Sequence, residues 1–492
     1  MFDGERPAEG SERWRQGLNG AQLAAVVHEG PPLLVVAGAG SGKTATLVSR
    51  LARLLEEGVR PERTLLLTFS RRAAKEMLGR AQRLAGGPEA TRIWGGTFHA
   101  LANRLLRRYG SAVGLPPSFT IMDSSDSADL LDLVRSELGL GATRRRFPRK
   151  QTLQQIYSST VNSQTKLSEV VERRFPWCRE DVGDLRSVFE AYSTRKRAHI
   201  VLDYDDLLLY WRVLTKHPSA SRRLRELFDH ILVDEYQDTN ELQAEIVAGM
   251  QGPGTGVMAV GDDAQAIYSF RAAGSANMLN FCDLFPGARV LLLEQNYRSI
   301  QPILDVSNEV IAQAKGGYSK RLWSLREGAI PARLIQCEDE SAQSDEVCVR
   351  VLEARERGVL LRQQAVLFRT GHHSAGLEVE LARRNIPFVK YGGLKFLEAA
   401  HIKDVLGLTR LIENPDDELS WFRSLQLIQG VGPKTARAVM NELGVGGGGA
   451  ARRLDGMRPP AQVDPQDWER FSEVVMELFG SEISVAAQLE RI

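Results

Sequence analysis

Two short segments, about two hundred residues apart, constrain this chain more than anything else in it. The first, Ala37-Gly38-Ala39-Gly40-Ser41-Gly42-Lys43-Thr44, follows the apolar run Leu33-Leu34-Val35-Val36 and precedes a stretch with helical spacing. Strand, glycine loop and helix in that order turn backbone N–H groups toward phosphates, and the helix N-terminus adds positive potential. Lys43 would reach the outer phosphates, and the Thr44 hydroxyl would ligate Mg²⁺. The second segment, Asp234-Glu235-Tyr236-Gln237-Asp238-Thr239, follows the apolar run Ile231-Leu232-Val233. Asp234 would hold the metal, and Glu235 would orient and deprotonate an attacking water. A glycine-rich strand-to-helix turn and an acidic turn are the ordinary readings of the two segments taken singly. Together they predict hydrolysis of a nucleoside triphosphate. The loop lacks the first glycine of the strict pattern, because Ala37 stands there. Alanine serves if that position needs no left-handed backbone.

At 492 residues the chain is too long for one hydrophobic core, so several domains are expected. An apolar fraction of 43% and a charged fraction of 25% are those of an ordinary soluble globular protein. No apolar run approaches the roughly 18 residues of a membrane span. The opening Met1-Phe2-Asp3-Gly4-Glu5-Arg6 does not resemble a secretory signal. Cys178, Cys282, Cys337 and Cys348 show no metal-type spacing, and read as free thiols in a reducing cytoplasm. The net charge of +1 says nothing about nucleic acid, since binding depends on where charge sits. Local basic clusters occur at Arg144-Arg145-Arg146 with Arg149 and Lys150, and at Arg104, Arg107 and Arg108. A solvated face and a DNA contact both explain them.

Residues 18–106 alternate apolar runs (Leu33–Ala37, Thr64–Phe69) with helical stretches such as Ala73–Leu84. That is the pattern of a parallel sheet wrapped by helices. From about 107 to 190 charged, helix-permitting sequence takes over, and strand patterns return at Ile231–Val233, Val257–Val260 and Val290–Leu293. A second alternating region has expected strands at Ala332–Gln336, Ala365–Arg369 and Pro387–Tyr391, and helical sequence follows from about 395. Gly430-Val431-Gly432 marks a turn there, and Gly444 to Gly449 a flexible run.

The segment Leu18-Asn19-Gly20-Ala21-Gln22 opens an ordered series. After the glycine loop come Thr68-Phe69-Ser70, Gly96-Thr97-Phe98-His99, Leu202-Asp203-Tyr204-Asp205-Asp206-Leu207 and the acidic segment. Gly261-Asp262-Asp263-Ala264-Gln265-Ala266-Ile267-Tyr268 and Glu294-Gln295-Asn296-Tyr297-Arg298-Ser299 complete it. From about residue 18 to 435 the chain resembles the UvrD/Rep/PcrA group of superfamily 1 DNA helicases.

The resemblance implies an α/β fold with two RecA-like motor domains, each interrupted by a helical subdomain, and ATP with Mg²⁺ at their interface. The expected boundaries are 1–106 and 191–288 for the first motor domain and 107–190 for its insertion. A partial second motor domain would run over 289–394, and its partial insertion over 395–492. By resemblance Gln22 would read adenine, for which a glutamine amide carries both donor and acceptor. Gln265 would sense the γ-phosphate, Tyr297 would stack on the base, and Arg298 would stabilise charge on the transferred group. Phe69, His99, Tyr268, Phe270 and Arg271 would line a single-stranded DNA groove. Flat side chains stack bases without reading sequence, at about 1–3 kcal/mol each. Phe270 stands where the family usually has Trp, which keeps a π face of smaller area. A buried-core role is the alternative for each of these aromatics. Gly430-Val431-Gly432-Pro433-Lys434-Thr435 resembles a helix-hairpin-helix turn able to hold a duplex phosphate, with a plain connection between helices as the alternative.

Two family segments, of the types His-x-x-Lys-Gly-Leu-Glu and Tyr-Val-Ala-x-Thr-Arg, do not occur in this sequence. They would complete the second sheet and supply a second γ-phosphate arginine. A shortened chain, a natural half with a separate remainder, and loss of motor activity all account for this. The resulting expectation is a cytoplasmic ATP-dependent 3′ to 5′ translocase or helicase. It would act on single strands and single-strand–duplex junctions in DNA repair or replication. A non-motor reading, an ATP- and DNA-binding subunit needing a second polypeptide, belongs to a different class. A small-molecule kinase is disfavoured by Asp234–Thr239 and Gly261–Tyr268.

Overall fold

The computed structural model describes residues 12–480 apart from 86–87, 141–146, 268–275, 315, 392–399 and 448–449. Two compact units divide the chain, Met1–Ala332 and Arg333–Ile492. In the first, the apolar runs become β1 (Leu33–Ala37), β2 (Thr64–Leu67), β3 (Trp94–Gly96), the two-residue β4 (Thr120–Ile121) and β5 (Val201–Leu202), then β6 (His230–Val233), β7 (Gly256–Gly261) and β8 (Arg289–Leu293). Six of them form one parallel sheet in the order β3-β2-β6-β7-β1-β8. Helices alternate with them: α1 (Gly20–Val27), α2 (Lys43–Glu56), α3 (Arg71–Ala85) and α4 (Phe98–Tyr109).

Every residue of β1 and β2 is buried, as expected of a parallel sheet covered on both faces. The period of two sends Leu33, Val35 and Ala37 into one core with Leu47, Leu51 and Met77. Leu34 and Val36 enter the opposite core, with Phe98, Leu105 and Trp211. Ala37 does not have a positive φ, which is why alanine serves at the head of the glycine loop.

The helical insertion is bracketed by β4 and β5, which pair in parallel. It contains α5 (Ser124–Glu137), α6 (Lys150–Ser163), α7 (Leu167–Arg174) and α8 (Val182–Ala198), so it runs past the boundary expected at 190. Helices α9 (Tyr204–Lys216), α10 (Pro218–Arg225) and α11 (Glu241–Met250) return to the sheet, followed by α12 (Ala276–Leu279), α13 (Phe281–Leu284) and α14 (Gln301–Ala312). A buried polar network joins insertion to sheet. Lys196 Nζ lies 2.5 Å from Asp203 Oδ2 and 2.6 Å from Asp206 Oδ2. Asn162 Nδ2 donates to Asp205 (2.7 Å), and Asn240 Nδ2 donates to Asn162 Oδ1 (2.8 Å).

The structure bears on three expectations and overturns one of them. Strand β8, expected to open the second motor domain at 289, is the edge strand of the first sheet. It pairs along the whole of β1, and Arg289 N–H donates to Pro32 O (2.8 Å), so β1 gains a second ladder partner. The runs expected as strands at Ala332–Gln336, Ala365–Arg369 and Pro387–Tyr391 form no strand among the described residues. A strand exists through its ladder partner, and without one Leu334, Leu367 and Tyr391 are 98%, 93% and 89% exposed. The third concerns the basic clusters, for which a solvated face and a DNA contact both stand as expectations. Lys150 pairs with Asp129, while Arg104 and Arg107 lie over the rings of Trp94 and Phe119, so these cations have structural partners. Arg144, Arg145 and Arg146 lie outside the described residues.

The second unit otherwise consists of helices α15 (Glu340–Glu356) and α16 (Ala375–Arg383) around Cys348, Leu377, Leu381 and Ile386, then α17 (Ala400–Glu413), α18 (Glu418–Leu425), α19 (Pro433–Leu443), α20 (Ala450–Leu454) and α21 (Pro465–Gly480). The turn before α19 requires Gly430, whose φ is +87° and whose Cβ would meet Gln462 O. No helix among the described residues is long and apolar enough to cross a membrane.

Burial alone would lower the Lys196 pKa, but Asp203 and Asp206 outweigh it and hold the ammonium above its ordinary range. Replacing Lys196 by Met should cost about 3–5 kcal/mol in urea denaturation, because it leaves two buried carboxylates without their cation. Burial, and secondly the Asp203 charge, push the Asp205 carboxyl up to about 7. The folded chain then binds more protons than the unfolded one between about pH 4 and 7, so this group's contribution to stability falls as pH rises through that window. Asp205→Asn should flatten that part of the stability–pH curve; an unchanged slope would contradict the assignment.

Candidate functional site

Parallel strands carry the loops that follow them to one edge of the sheet, and the residues predicted for chemistry gather there. After β1 the chain turns through Gly40 (φ +75°) and Gly42 (φ +87°), both left-handed. Neither tolerates a side chain: a Cβ on Gly40 would sit 2.7 Å from Arg298 Cβ, and one on Gly42 would collide with Gln22 Nε2. Ser41 Oγ donates to Gly38 O (2.8 Å), and the Thr46 hydroxyl donates to Gly42 O (3.0 Å), fixing the loop from within. Helix α2 starts at Lys43, so its free N–H groups face the loop's concavity.

Strand β6 delivers the acidic pair. Asp234 N–H donates to Leu67 O (2.9 Å), continuing the sheet ladder by one residue. Glu235 then takes φ +49°, a left-handed conformation that costs a residue other than glycine about 1–3 kcal/mol. That reversal brings its carboxylate to Lys43, with Nζ 3.1 Å from Oε2. Asp234 Oδ1 and Asp238 Oδ1 are buried and have no hydrogen-bond partner among the described residues. Burial, then the Glu235 charge, push Asp234 up to about 7 and Asp238 up to about 6.

Strand β7 delivers Gln265. A continuous chain of hydrogen bonds links it to the acidic pair. Gln237 Nε2 donates to Glu235 (2.9 Å), Asp262 N–H donates to Gln237 Oε1 (2.9 Å), and Gln265 Nε2 donates to Asp262 Oδ2 (2.5 Å). Gly261 permits this approach, since a Cβ there would lie 2.7 Å from Gln237 Oε1.

Strand β8 delivers Tyr297 and Arg298, both within the compact unit Met1–Ala332. Tyr297 N–H donates to Gly40 O (2.8 Å). Asn296, buried, donates from Nδ2 to Ala39 O (2.5 Å) and accepts at Oδ1 from the N–H groups of Arg298 (2.8 Å) and Ser299 (2.7 Å). A cavity of about 550 Å³ lies beside the glycine loop, lined among others by Leu18, Gln22, Gly42 and Tyr297. Gln22 is buried rather than exposed. Its Oε1 accepts from Asn19 N–H (3.0 Å) and its Nε2 donates to Ser41 O (2.9 Å), so the amide ties α1 to the loop in this structure.

Among the residues expected at a DNA groove, Phe69 follows β2 and His99 opens α4 after β3. Phe69 is 39% exposed, and His99 meets the Tyr204 ring edge-on at 5.6 Å. Tyr204 is 44% exposed and extends this aromatic surface. Sequence reasoning quoted its segment without giving it a role. Tyr268, Phe270 and Arg271 lie outside the described residues. Asn296 and Gln237 also went unassigned, although both stand inside quoted motifs. Their chemistry lies in bonds to backbone and to neighbouring loops, which no spacing in the chain reveals.

Residues 18–286 match the family model described as the UvrD/REP helicase N-terminal domain, and residues 291–446 match the UvrD-like helicase C-terminal domain. The chain is similar to the "ATP-dependent DNA helicase UvrD1" of Mycobacterium tuberculosis, 37% identical over 456 residues, covering 88% of this chain and 58% of the relative. It is also similar to proteins named "ATP-dependent DNA helicase PcrA". The one from Leuconostoc citreum is 35% identical over 84% of this chain and 55% of its own length. The one from Staphylococcus epidermidis is 33% identical over 86% and 58%. The chain thus spans little more than half the length of the curated relatives it matches.

Asn296→Ala tests how the loops are joined. It strips Ala39 O of a donor and two N–H groups of their acceptor, and should cost about 1–3 kcal/mol of stability in urea denaturation. A loss below the error of the method would mean that water replaces the amide without penalty.

Proposed function

This chain belongs to the UvrD/REP helicase family, and we propose that it is an ATP-driven motor on single-stranded DNA, moving 3′ to 5′ and opening duplex at junctions during repair or replication. The observation that carries the reading is the hydrogen-bonded chain from Lys43 through Glu235, Gln237 and Asp262 to Gln265, at the ends of three strands of one sheet. It brings a phosphate-binding cation, a base and a sensor into one constellation. A triphosphate seated in the glycine loop competes with Glu235 for Lys43. Once Lys43 turns to phosphate, Glu235 is free to accept a proton from the attacking water. Arg298, whose Cβ lies beside Gly40, would meet charge on the transferred group. Tyr297 and Gln22 would take the base in the adjoining cavity, with Gln22 exchanging its present partners for adenine.

The donor set suits Mg²⁺. Asp234 Oδ1 is a buried oxygen with no partner among the described residues, and magnesium is commonly held by one or two carboxylates together with substrate phosphates. Thr44 and Asp234 would hold it, and its charge would neutralise the outer phosphates. Phe69 and His99, extended by Tyr204 and joined by Tyr268, Phe270 and Arg271, would form the stacking surface for single-stranded DNA. A reducing cytoplasm suits four cysteines that are all free thiols.

A second reading is favoured by the exposed apolar runs around Leu334, Leu367 and Tyr391. On that reading the chain binds ATP and DNA but needs further polypeptide, in cis or in trans, to complete its second unit before it turns over.

Steady-state ATP hydrolysis, with and without single-stranded DNA, separates the two. A motor should be strongly stimulated by single strands and not by small metabolites. Lys43→Ala should abolish the activity, and Glu235→Gln should lower kcat by about 10²–10⁴ while ATP still binds. Binding of ATP without turnover by the unmodified chain would favour the second reading. Absence of ATP binding would defeat both.

A further inference from the structure

The segment Gly316–Trp323, beyond α14, contains a buried cation that no motif in the sequence singles out. The Lys320 side chain is only 5% exposed and lies between two carboxylates of the loop after β7. Its Nζ is 2.6 Å from Asp262 Oδ1 and pairs with Asp263 as well. Tyr318 N–H donates to Asp263 Oδ2 (3.0 Å), and the Tyr318 hydroxyl donates to Met278 O (3.0 Å). Gly317 (φ +101°) passes so close that a Cβ would stand 2.6 Å from Asp263 Oδ2. At its other end the same segment touches the phosphate loop. Leu322 lies over Gly38, leaving no room for a side chain there, and Asn296 N–H donates to Trp323 O (2.7 Å).

Asp262 is where this matters. One oxygen, Oδ1, takes Lys320 and accepts from the Ala264 N–H (3.2 Å), and the other, Oδ2, takes the Gln265 amide. Its N–H holds Gln237, which in turn holds Glu235. A carboxylate with a free rotor could offer Gln265 either oxygen, or turn to water. With a buried ammonium on one oxygen, only the other remains, and the Gln265 amide is aimed. Among the described residues no other cation pairs with Asp262 or Asp263. Lys320 therefore also keeps two adjacent carboxylates from facing an incoming triphosphate unneutralised.

We propose that Lys320 is a positioning residue for γ-phosphate recognition: by clamping Asp262 and Asp263 it sets Gln265, and through Leu322 over Gly38 its segment ties that sensor to the phosphate loop. This rests on the ATP-hydrolase reading given above. Lys320 touches neither phosphate nor DNA in this account. Its effect appears in how well the site tells a triphosphate from a diphosphate.

The test needs no turnover. Isothermal titration of the full chain with Mg²⁺ and either ADP or a non-hydrolysable ATP analogue gives the ratio of the two dissociation constants. Lys320→Met should lower the preference for the triphosphate by about tenfold or more, the worth of one charge-assisted contact, with ADP affinity within about threefold of the parent. Lys320→Arg should recover much of it. Since an unpaired pair of buried carboxylates could prevent folding, Lys320→Met combined with Asp263→Asn is measured alongside. It restores charge balance without restoring the clamp, and should still lack discrimination. Full discrimination in that double variant, or equal losses for both nucleotides in the single one, would reduce Lys320 to a structural ion pair and overturn the proposal. Binding of neither nucleotide by the parent chain would instead sink the ATP reading, and this inference with it.

Discussion

Parallel pairing is the constraint on which the rest of this structure depends. Because β1 runs alongside β7 and β8, and β6 alongside β2 and β7, all six strands of the sheet end at one edge. Each then delivers a chemically distinct loop there. Strand β1 brings the glycine loop, β6 the acidic pair, β7 Gln265 and β8 Tyr297 with Arg298, while β2 and β3 bring Phe69 and His99. An antiparallel sheet would send alternate loops to opposite edges and scatter the same residues. Ligands of open parallel sheets bind at the carboxyl ends of strands for this reason. On the proposed reading, the nucleotide site and the surface carrying Phe69 and His99 would be neighbouring stretches of one rim, ordered by the strands that carry them.

Electrostatics explains why the rim is poised rather than relaxed. Glu235 is held in a left-handed conformation that presents its carboxylate to Lys43. Asp234 and Asp238 each carry a buried oxygen without a partner among the described residues, and burial raises both pKa values. These are costs a stable fold would shed if the loop had only structural work. They become sensible on the proposed reading, in which a triphosphate would take over Lys43 and a divalent cation would take the free oxygen. The second unit stores a different cost, in exposed apolar runs that form no strand among the described residues.

Much of this was legible in the chain. The glycine loop, the acidic pair and the strands that carry them follow from runs of four or five apolar residues ending in residues of fixed chemistry. Ala37 was readable too, as a position that needs no positive φ. Other features were hidden because they depend on partners distant in sequence. Nothing around Gln22 in the sequence reveals that its amide is buried against Ser41 O, nineteen positions away. Lys320 looks like one more surface lysine, and only the fold reveals that it sits between two carboxylates. Strand β8 carries a clear strand pattern, but nothing in it reveals that its ladder partner is β1, far back in the chain. The runs at Ala332–Gln336, Ala365–Arg369 and Pro387–Tyr391 carry sound strand patterns, but a pattern specifies a face and not a neighbour.

The central claim is that the Lys43–Glu235 pair is the resting form of a nucleotide site and gives way to a triphosphate. A crystal structure of this chain with a non-hydrolysable ATP analogue and Mg²⁺ tests it most directly. The account predicts the triphosphate in the loop Gly38–Thr44, with Lys43 Nζ moved from Glu235 onto phosphate and the carboxylate turned toward an ordered water. A nucleotide bound elsewhere, or one seated in the loop while Lys43 stays on Glu235, would contradict it.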